Sequence, residues 1–462
     1  MRNELIRAPI KQLFIILFSI VGTVAPLQAQ PAETQFSVTE LQSDFTNLRS
    51  RYESNLANLY LYTPKQTLDN VFDSLYYNLK AMSAREFYSY ITPLSSVIKD
   101  GHSNIFPGNE VTKAYNEHSK FFPFNIYWSE NKLFITKNFS SDSSLHPGTE
   151  ISAINGMLAN KIMNYLLQRQ VRDGNNDNYA LWILNNYFRE YYSYHFGHPE
   201  YFAMSVKSGD SIRKVKVGAI SKAVLAVEKT KSGLLENSDA IEYFRHDSAA
   251  NTAVFTIKTW DKANLKKEID YVFQQIRQKH IDNLILDLRD NQGGNSQPAI
   301  HLLSYLLNQP FEYFTSVKSV AAHSEVTQTL KSEKWKMMGI NHPQKTIYAG
   351  NLFVLINGGC FSNTGAFCLR LQFFKKGIFI GEETGGNKVV FSGVFGLKEK
   401  IILPNTKIIC DNANYQLIVT DLPDNTGHGV LPDYCVVPTI DNIINNQDVL
   451  MIEAYKLINQ KK

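Results

Sequence analysis

The 462-residue chain carries 47 Lys and Arg against 43 Asp and Glu, a net charge of +4, and 44% of its residues are hydrophobic. That balance excludes a disordered chain, and it leaves no electrostatic footprint for a polyanion, so no nucleic-acid partner is expected. A chain of this length exceeds one ordinary core and implies two or three domains.

The first residues read as an address. Arg2, Arg7 and Lys11 precede an apolar run from Leu13 to Val24, and Leu27-Gln28-Ala29 offers the small residue at which a leader is cut. Residues 1–29 are therefore expected to be a secretory signal peptide, which implies an exported, periplasmic or extracellular protein. A membrane anchor is the competing reading, but the apolar stretch is shorter than the roughly 20 residues of a spanning helix and Pro26 follows it. Export places Cys360, Cys368, Cys410 and Cys435 in an oxidising compartment where pairing is open to them. Cys410 and Cys435 are candidates to bridge neighbouring strands, and Cys360 and Cys368 to pack as small buried residues. Sequence does not choose among the connectivities. Their spacing fits no zinc pattern, and no metal, nucleotide or other cofactor is expected.

From Val38 to Ile98 apolar residues recur at helical spacing, as in Leu41, Phe45, Leu48 and Tyr52, and again in Val71, Leu75, Leu79 and Met82. This predicts an N-terminal helical domain over 30–110. Ser83 and Glu86 have capping-box spacing, and the helix they open should stop at Asp100-Gly101, leaving His102 on a loop. Short alternating strands follow, among them 125–128 and 132–136. The stretch from Leu145 to Gly156, with a helix from Lys161 to Arg169, resembles part of a PDZ domain. Residues 115–220 are thus expected to form a PDZ-like domain able to hold an extended peptide by strand addition. The aromatic patch from Tyr187 to Phe196 reads as packing. Strand and helix then alternate over 240–440, an α/β layered core, with hairpin additions from Val389 to Asp421 and a final helix over 441–462.

Three segments of that core and its approaches carry candidate chemistry. Leu352 to Ile356 reads as a buried strand and Gly365 to Phe374 as a helix, so Ser362 sits on a sharp turn among small residues, where a nucleophile is presented. The alternative is a serine that merely caps the helix. Leu284 to Gly294 is an apolar strand ending in Gly293-Gly294, whose uncovered N–H groups suit an oxyanion. Upstream, Asp100-Gly101-His102 offers a general base.

Together and in this order these segments resemble the C-terminal processing peptidase, or tail-specific protease, superfamily of serine peptidases, which includes the tricorn core protease. The strand motif appears as Asp287-Leu288-Arg289-Asp290-Asn291-Gln292-Gly293-Gly294, and the nucleophile turn as Phe361-Ser362-Asn363. The following turn appears as Gly381-Glu382-Glu383-Thr384-Gly385-Gly386, and the terminal motif as Gly429-Val430-Leu431-Pro432-Asp433.

The resemblance implies a ClpP/crotonase-like layered catalytic core and a serine endopeptidase acting on unfolded or tail segments of proteins. Ser362 is the nucleophile, His102 the base, and the oxyanion hole is Gly293 or Gly294 with the backbone of Asn363, whose side chain has no assigned part. One branch of the superfamily uses a lysine after the Gly-Glu-x-Thr turn. Here that position is Asn387, with Lys388 displaced by one, so the histidine branch is expected. Tricorn-like enzymes have a serine before the histidine and a glutamate before the terminal motif, positions that read Gly101 and Thr426 here. Glu383 is the expected orienting carboxylate, with Glu382 and Asp424 as alternatives, and Asp287 and Arg289 are expected to be structural. The rival readings are a non-catalytic binder of apolar ligands or peptides on the same fold, and a Ser/Lys-dyad protease.

Overall fold

Helix starts are written into the N-terminal segment. In this computed structural model, which describes residues 33–108, 112, 120–208, 211–225, 243–319, 338–393, 400–420 and 427–461, α1 (Val38–Asn55) opens on a capping box between Ser37 and Glu40. The expected leader lies outside the described residues. Leu41, Phe45, Leu48 and Tyr52 line the buried face of α1. In α2 (Lys65–Tyr77) the fully buried residues are Leu68 and Phe72, with the expected Val71 and Leu75 only partly covered. Leu79 lies past that helix, and Met82 pairs with Phe36 in a two-residue bridge. The Ser83 and Glu86 capping box opens α3 (Ala84–Ile91), which leads into α4 (Pro93–Ile98). The stop falls on Lys99, at φ 61°, rather than on Gly101. The chain then enters the strand Ile105–Phe106, which pairs with Ile409–Cys410. Ile401, Leu403, Ile408 and Cys410 share one core with α1 to α4, so a segment expected to extend the catalytic core closes the helical one instead.

A second core sits under an antiparallel sheet, whose strands lie in the order Ser211–Gly218, Tyr201–Ser208, Glu150–Ile154, Lys132–Asn138, Phe124–Ser129. Alternate residues of Phe124–Ser129 are buried, as a one-sided sheet requires. Covering it are α5 (Ala159–Leu167) and α6 (Asn178–Phe196), the latter bent at Tyr187. The edge strand is engaged by α6: Trp128 N–H donates to Asn185 Oδ1 at 2.8 Å, and the Arg189 guanidinium donates to the carbonyls of Phe122 and Phe124. Side chains of α6 thus take edge peptide groups that an added strand would use.

The third unit is a six-stranded sheet in the order Phe244–Asp247, Thr252–Thr256, Asn283–Asp287, Asn351–Ile356, Ile378–Gly381, Tyr434–Cys435; only the first pairing is antiparallel. Its strands alternate between two cores. Leu284, Leu286, Val354 and Ile356 face α7 (Leu265–Gln278), α8 (Ser296–Leu306) and α9 (Asn363–Phe373). Ile285, Phe353, Leu355 and Ile380 belong to the opposite core. The expected single C-terminal helix is two, α10 (Ile440–Ile444) and α11 (Val449–Gln460), with Asn446 at φ 52° between them; α11 covers that second core. Asp448 caps α11 and also accepts from Arg289, whose guanidinium bonds Asp287 through both oxygens. Because the central strands are parallel, their carboxyl ends bring the segments after Asp287, Ile356 and Gly381 to one edge. Among the described residues no helix is long and apolar enough to cross a membrane.

The disulfide expected as one option does not form: all four cysteines are free. Cys410 is held in the small sheet beside Ile105, and Cys435 lies on the outer strand of the parallel sheet next to Gly381. Cys360 and Cys368 pack in the core beneath α9.

Candidate active site

The turn after Asn351–Ile356 is drawn tight by backbone hydrogen bonds. Cys360 N–H donates to Asn357 O, Phe361 N–H to Asn291 O, and Gly385 N–H to Cys360 O. These force Ser362 to φ 54° and ψ −122°, a conformation that costs a non-glycine residue about 1–3 kcal/mol. Although Ser362 stands at the start of α9, its side chain makes no capping bond. Its Oγ lies instead 3.0 Å from His102 Nε2.

His102 stands on the loop between α4 and Ile105–Phe106, and two buried carboxylates hold that loop. Asp100 Oδ1 accepts the His102 N–H at 2.8 Å and the Ser392 hydroxyl at 2.6 Å. Asp173, just before α6, accepts the Gly101 N–H at 2.7 Å and the Asn387 N–H at 2.9 Å. Burial pushes both acids up, Asp173 further through the charge of Asp100. Burial pushes His102 down, to about 4, which keeps the imidazole neutral and able to accept a proton at ordinary pH. Its ring stacks on Phe361 (4.7 Å between centroids) and on Phe391 (6.0 Å). His102 Nδ1 is buried and, among the described residues, has no hydrogen-bond partner.

The glycine turn meets the serine from the other side. A Cβ on Gly293, at φ 108°, would lie 2.9 Å from Ser362 Cβ and 3.1 Å from Asn363 N, so the approach requires glycine. Gly293 N–H already donates to Asn291 Oδ1, while Gly293 O accepts from Trp260 N–H. In a trans peptide the N–H opposes the C=O, which turns the Gly294 N–H away from Trp260. Asn363 N–H is a first-turn donor with no partner within its helix. The Asn363 side chain, left without a part by the sequence, accepts from Tyr313 Oη at 2.7 Å and donates to Asn295 O at 3.2 Å, tying α9 to the glycine segment.

The segment that carries the serine and the glycine turn is similar to known proteins. Residues 251–436 match the model of peptidase family S41. That match covers about two fifths of the chain and includes Ser362 and the glycine turn, while His102 lies outside it. The chain is 24% identical over 195 residues to the tail-specific protease of Haemophilus influenzae, a match covering 39% of this chain and 26% of that protein. The matched region thus spans about a quarter of that relative's length. Among solved structures it resembles mature CPAF, with a TM-score of 0.62 at 13% identity, covering 92% of this chain and 98% of that one. A mutant of CPAF gives 0.64 at 13% identity, covering 91% and 98%. Likeness at that identity speaks to the mixed helix-and-sheet fold alone.

The structure does not bring Glu383 to the histidine. Glu383 Oε1 accepts the Gly429 N–H at 2.8 Å and lies 3.0 Å from His428 Nδ1, and Oε2 takes the Asn178 amide at 3.3 Å. Its carboxylate is occupied in joining the turn after Gly381 to the terminal motif and α6, so the orienting role expected of it has no contact to act through. Asp424 lies outside the described residues. At the lysine position of the other branch, the buried Asn387 donates to Tyr62 Oη at 2.7 Å and accepts from the N–H groups of Val389 and Val390. Asp173 and Phe391 had no sequence signal, and Phe361 was read only as part of the nucleophile turn: an Asp in a polar loop and a Phe beside a strand are ordinary residues until the fold places them.

Proposed function

We propose that the protein is an exported serine endopeptidase that hydrolyses peptide bonds in unfolded or tail segments of proteins. The observation that carries this reading is the 3.0 Å contact between the Oγ of a backbone-strained serine and Nε2 of a buried histidine. With the proton on Nδ1, His102 Nε2 accepts the Ser362 hydroxyl proton as Oγ attacks the scissile carbonyl. The carbonyl oxygen takes the negative charge and is met by the N–H of Asn363 and that of Gly294, the Gly293 N–H being engaged by Asn291 Oδ1. His102 then gives the proton to the leaving amine, and water repeats the sequence on the acyl-enzyme.

In this reading the chain divides into a leader over 1–29, a helical unit over 30–110, a PDZ-like unit over 115–220, a catalytic core over 240–440 and a C-terminal helical end. The antiparallel sheet with its two helices is the basis of the PDZ-like assignment, and because α6 engages the Phe124–Ser129 edge, a substrate tail would add at the opposite edge, Ser211–Gly218. The leader-like N-terminus supports export.

The test is incubation of the mature protein and Ser362→Ala in parallel with an unfolded protein and a set of tail peptides, with fragments read by mass spectrometry. Fragments from the wild type alone are expected. A folded wild type that yields none, or a Ser362→Ala variant that cleaves equally, overturns the proposal.

A further inference from the structure

Taking Ser362 and His102 as the reacting pair, as above, leaves open what keeps the imidazole aimed. A ring can swing about its own Cβ–Cγ bond, and a histidine base is ordinarily fixed by a hydrogen bond at its second nitrogen. Here that nitrogen is buried and has no such partner among the described residues, and the acid expected to serve it is engaged elsewhere. What lies against the imidazole is aromatic: Phe361 at 4.7 Å and 29° between planes, and Phe391 at 6.0 Å and 22°.

The stack continues outward. Tyr179 of α6 lies flat on Phe361, 4.0 Å away at 2°, and Trp182 lies 5.8 Å beyond at 8°. Its outer rings are anchored on the segment that carries the glycine turn, Tyr179 Oη donating to Gln292 Oε1 at 3.1 Å and Trp182 Nε1 to Asp290 Oδ1 at 2.9 Å. The loop has been shaped for this. A Cβ on Gly101 would come 2.6 Å from Phe361 Cζ, so the residue before the histidine is glycine where the tricorn-like pattern has serine.

We propose that Phe361 and Phe391 are positioning residues that hold the plane of the His102 imidazole, in place of a carboxylate bonded to Nδ1. Rings packed on the imidazole restrict its tilt and exclude water, so the same contacts hold the base neutral. The ionisable groups around it are Asp100 on its own loop, Asp173 across from that loop and Tyr179 behind Phe361. Asp100 and Asp173 are bonded to backbone N–H groups rather than to the ring.

The test uses the mature protein with Phe391→Leu and Phe391→Tyr, measuring tail-peptide kinetics and, separately, the His102 titration by NMR. For Phe391→Leu the expected result is a kcat lower by about tenfold with KM within twofold, and a His102 pKa displaced upward toward the ordinary imidazole value of about 6.5. Phe391→Tyr should restore both. If Phe391→Leu does not fold, Tyr179→Leu, one layer further out, should give the same displacement through Phe361. An unmoved His102 titration in a folded variant overturns the proposal. So does a shift produced by Asp424→Asn and not by Phe391→Leu, which returns the role to a carboxylate. The NMR reading needs no turnover, so a wild type without activity counts against the peptidase reading alone.

Discussion

Ser362 and His102 are placed by different kinds of structure. The serine stands where one parallel strand turns into one helix, and the bonds that shape its turn come from segments at the same sheet edge. The histidine comes from 260 residues upstream and is seated at a junction of three units: its own loop after α4, Asp173 before α6, and Asn387, Phe391 and Ser392 of the catalytic part. A nucleophile built locally survives damage elsewhere, whereas a base built at a junction fails when any of its three walls moves. Under the proposed function, loss of activity with the serine turn undisturbed is therefore the signature of injury to the histidine side.

The sharpest way to break that contrast is to remove each partner. Ser362→Ala and His102→Ala should each lower kcat on a tail peptide by roughly 10⁴-fold or more. An active His102→Ala together with a dead Lys388→Ala would replace the histidine base with a lysine. Gly101→Ala drives a methyl into the Phe361 ring and should lower kcat by about 10²-fold, the scale of a 1 Å misplacement. A crystal structure of Gly101→Ala should show the Ser362 turn unmoved and the histidine loop displaced, and equal displacement of both would erase the distinction between local and junction-built groups.

A pH series separates the two sides further. The acid limb of kcat/KM should fall below the ordinary imidazole value, toward the pKa of about 4 to which burial pushes His102. A histidine depressed in the folded state contributes stability that is present above its unfolded value of about 6.5 and is lost as pH falls toward 4. Asp100 and Asp173, raised by burial, act in the opposite sense: their contribution is present at low pH and is lost as pH rises beyond the usual carboxylate range. Denaturation midpoints of wild type and His102→Ala across this range should converge at the acid end. The smallest effect is expected from Lys388→Ala, with kcat within about twofold of wild type, read in the same peptide assay.

Much of the fold was legible because local signals and burial agree. The Ser83 and Glu86 box opens a helix, and the apolar runs at 252–256, 283–287 and 351–356 are strands of one sheet. Where sequence reading missed, a tertiary contact decided the matter. Lys99 accepts the left-handed position that Gly101 was expected to take, because Gly101 is needed against Phe361. The two-residue strand at Ile409–Cys410 is too short to have a period and joins the helical unit by pairing. At the site, Ser362 and His102 could be anticipated from their motifs. Glu383 could not be told from a turn acid, since its partners His428, Gly429 and Asn178 are remote in sequence. Stacking by Phe391 and anchoring by Asp173 leave no local pattern at all.

The pairing of Ile105–Phe106 with Ile409–Cys410 also sets an order of events. Asn104 donates to Asp411 at 3.0 Å across 307 residues, so the strand beyond the histidine gains its neighbour only after that intervening length has been made. A chain emerging amino end first carries its histidine long before it carries the strand that seats it or the serine it serves. If the proposed pair is the reacting one, chemistry is withheld from any chain that stops before Ser362 and Ile409–Cys410, a safeguard that comes from chain order alone.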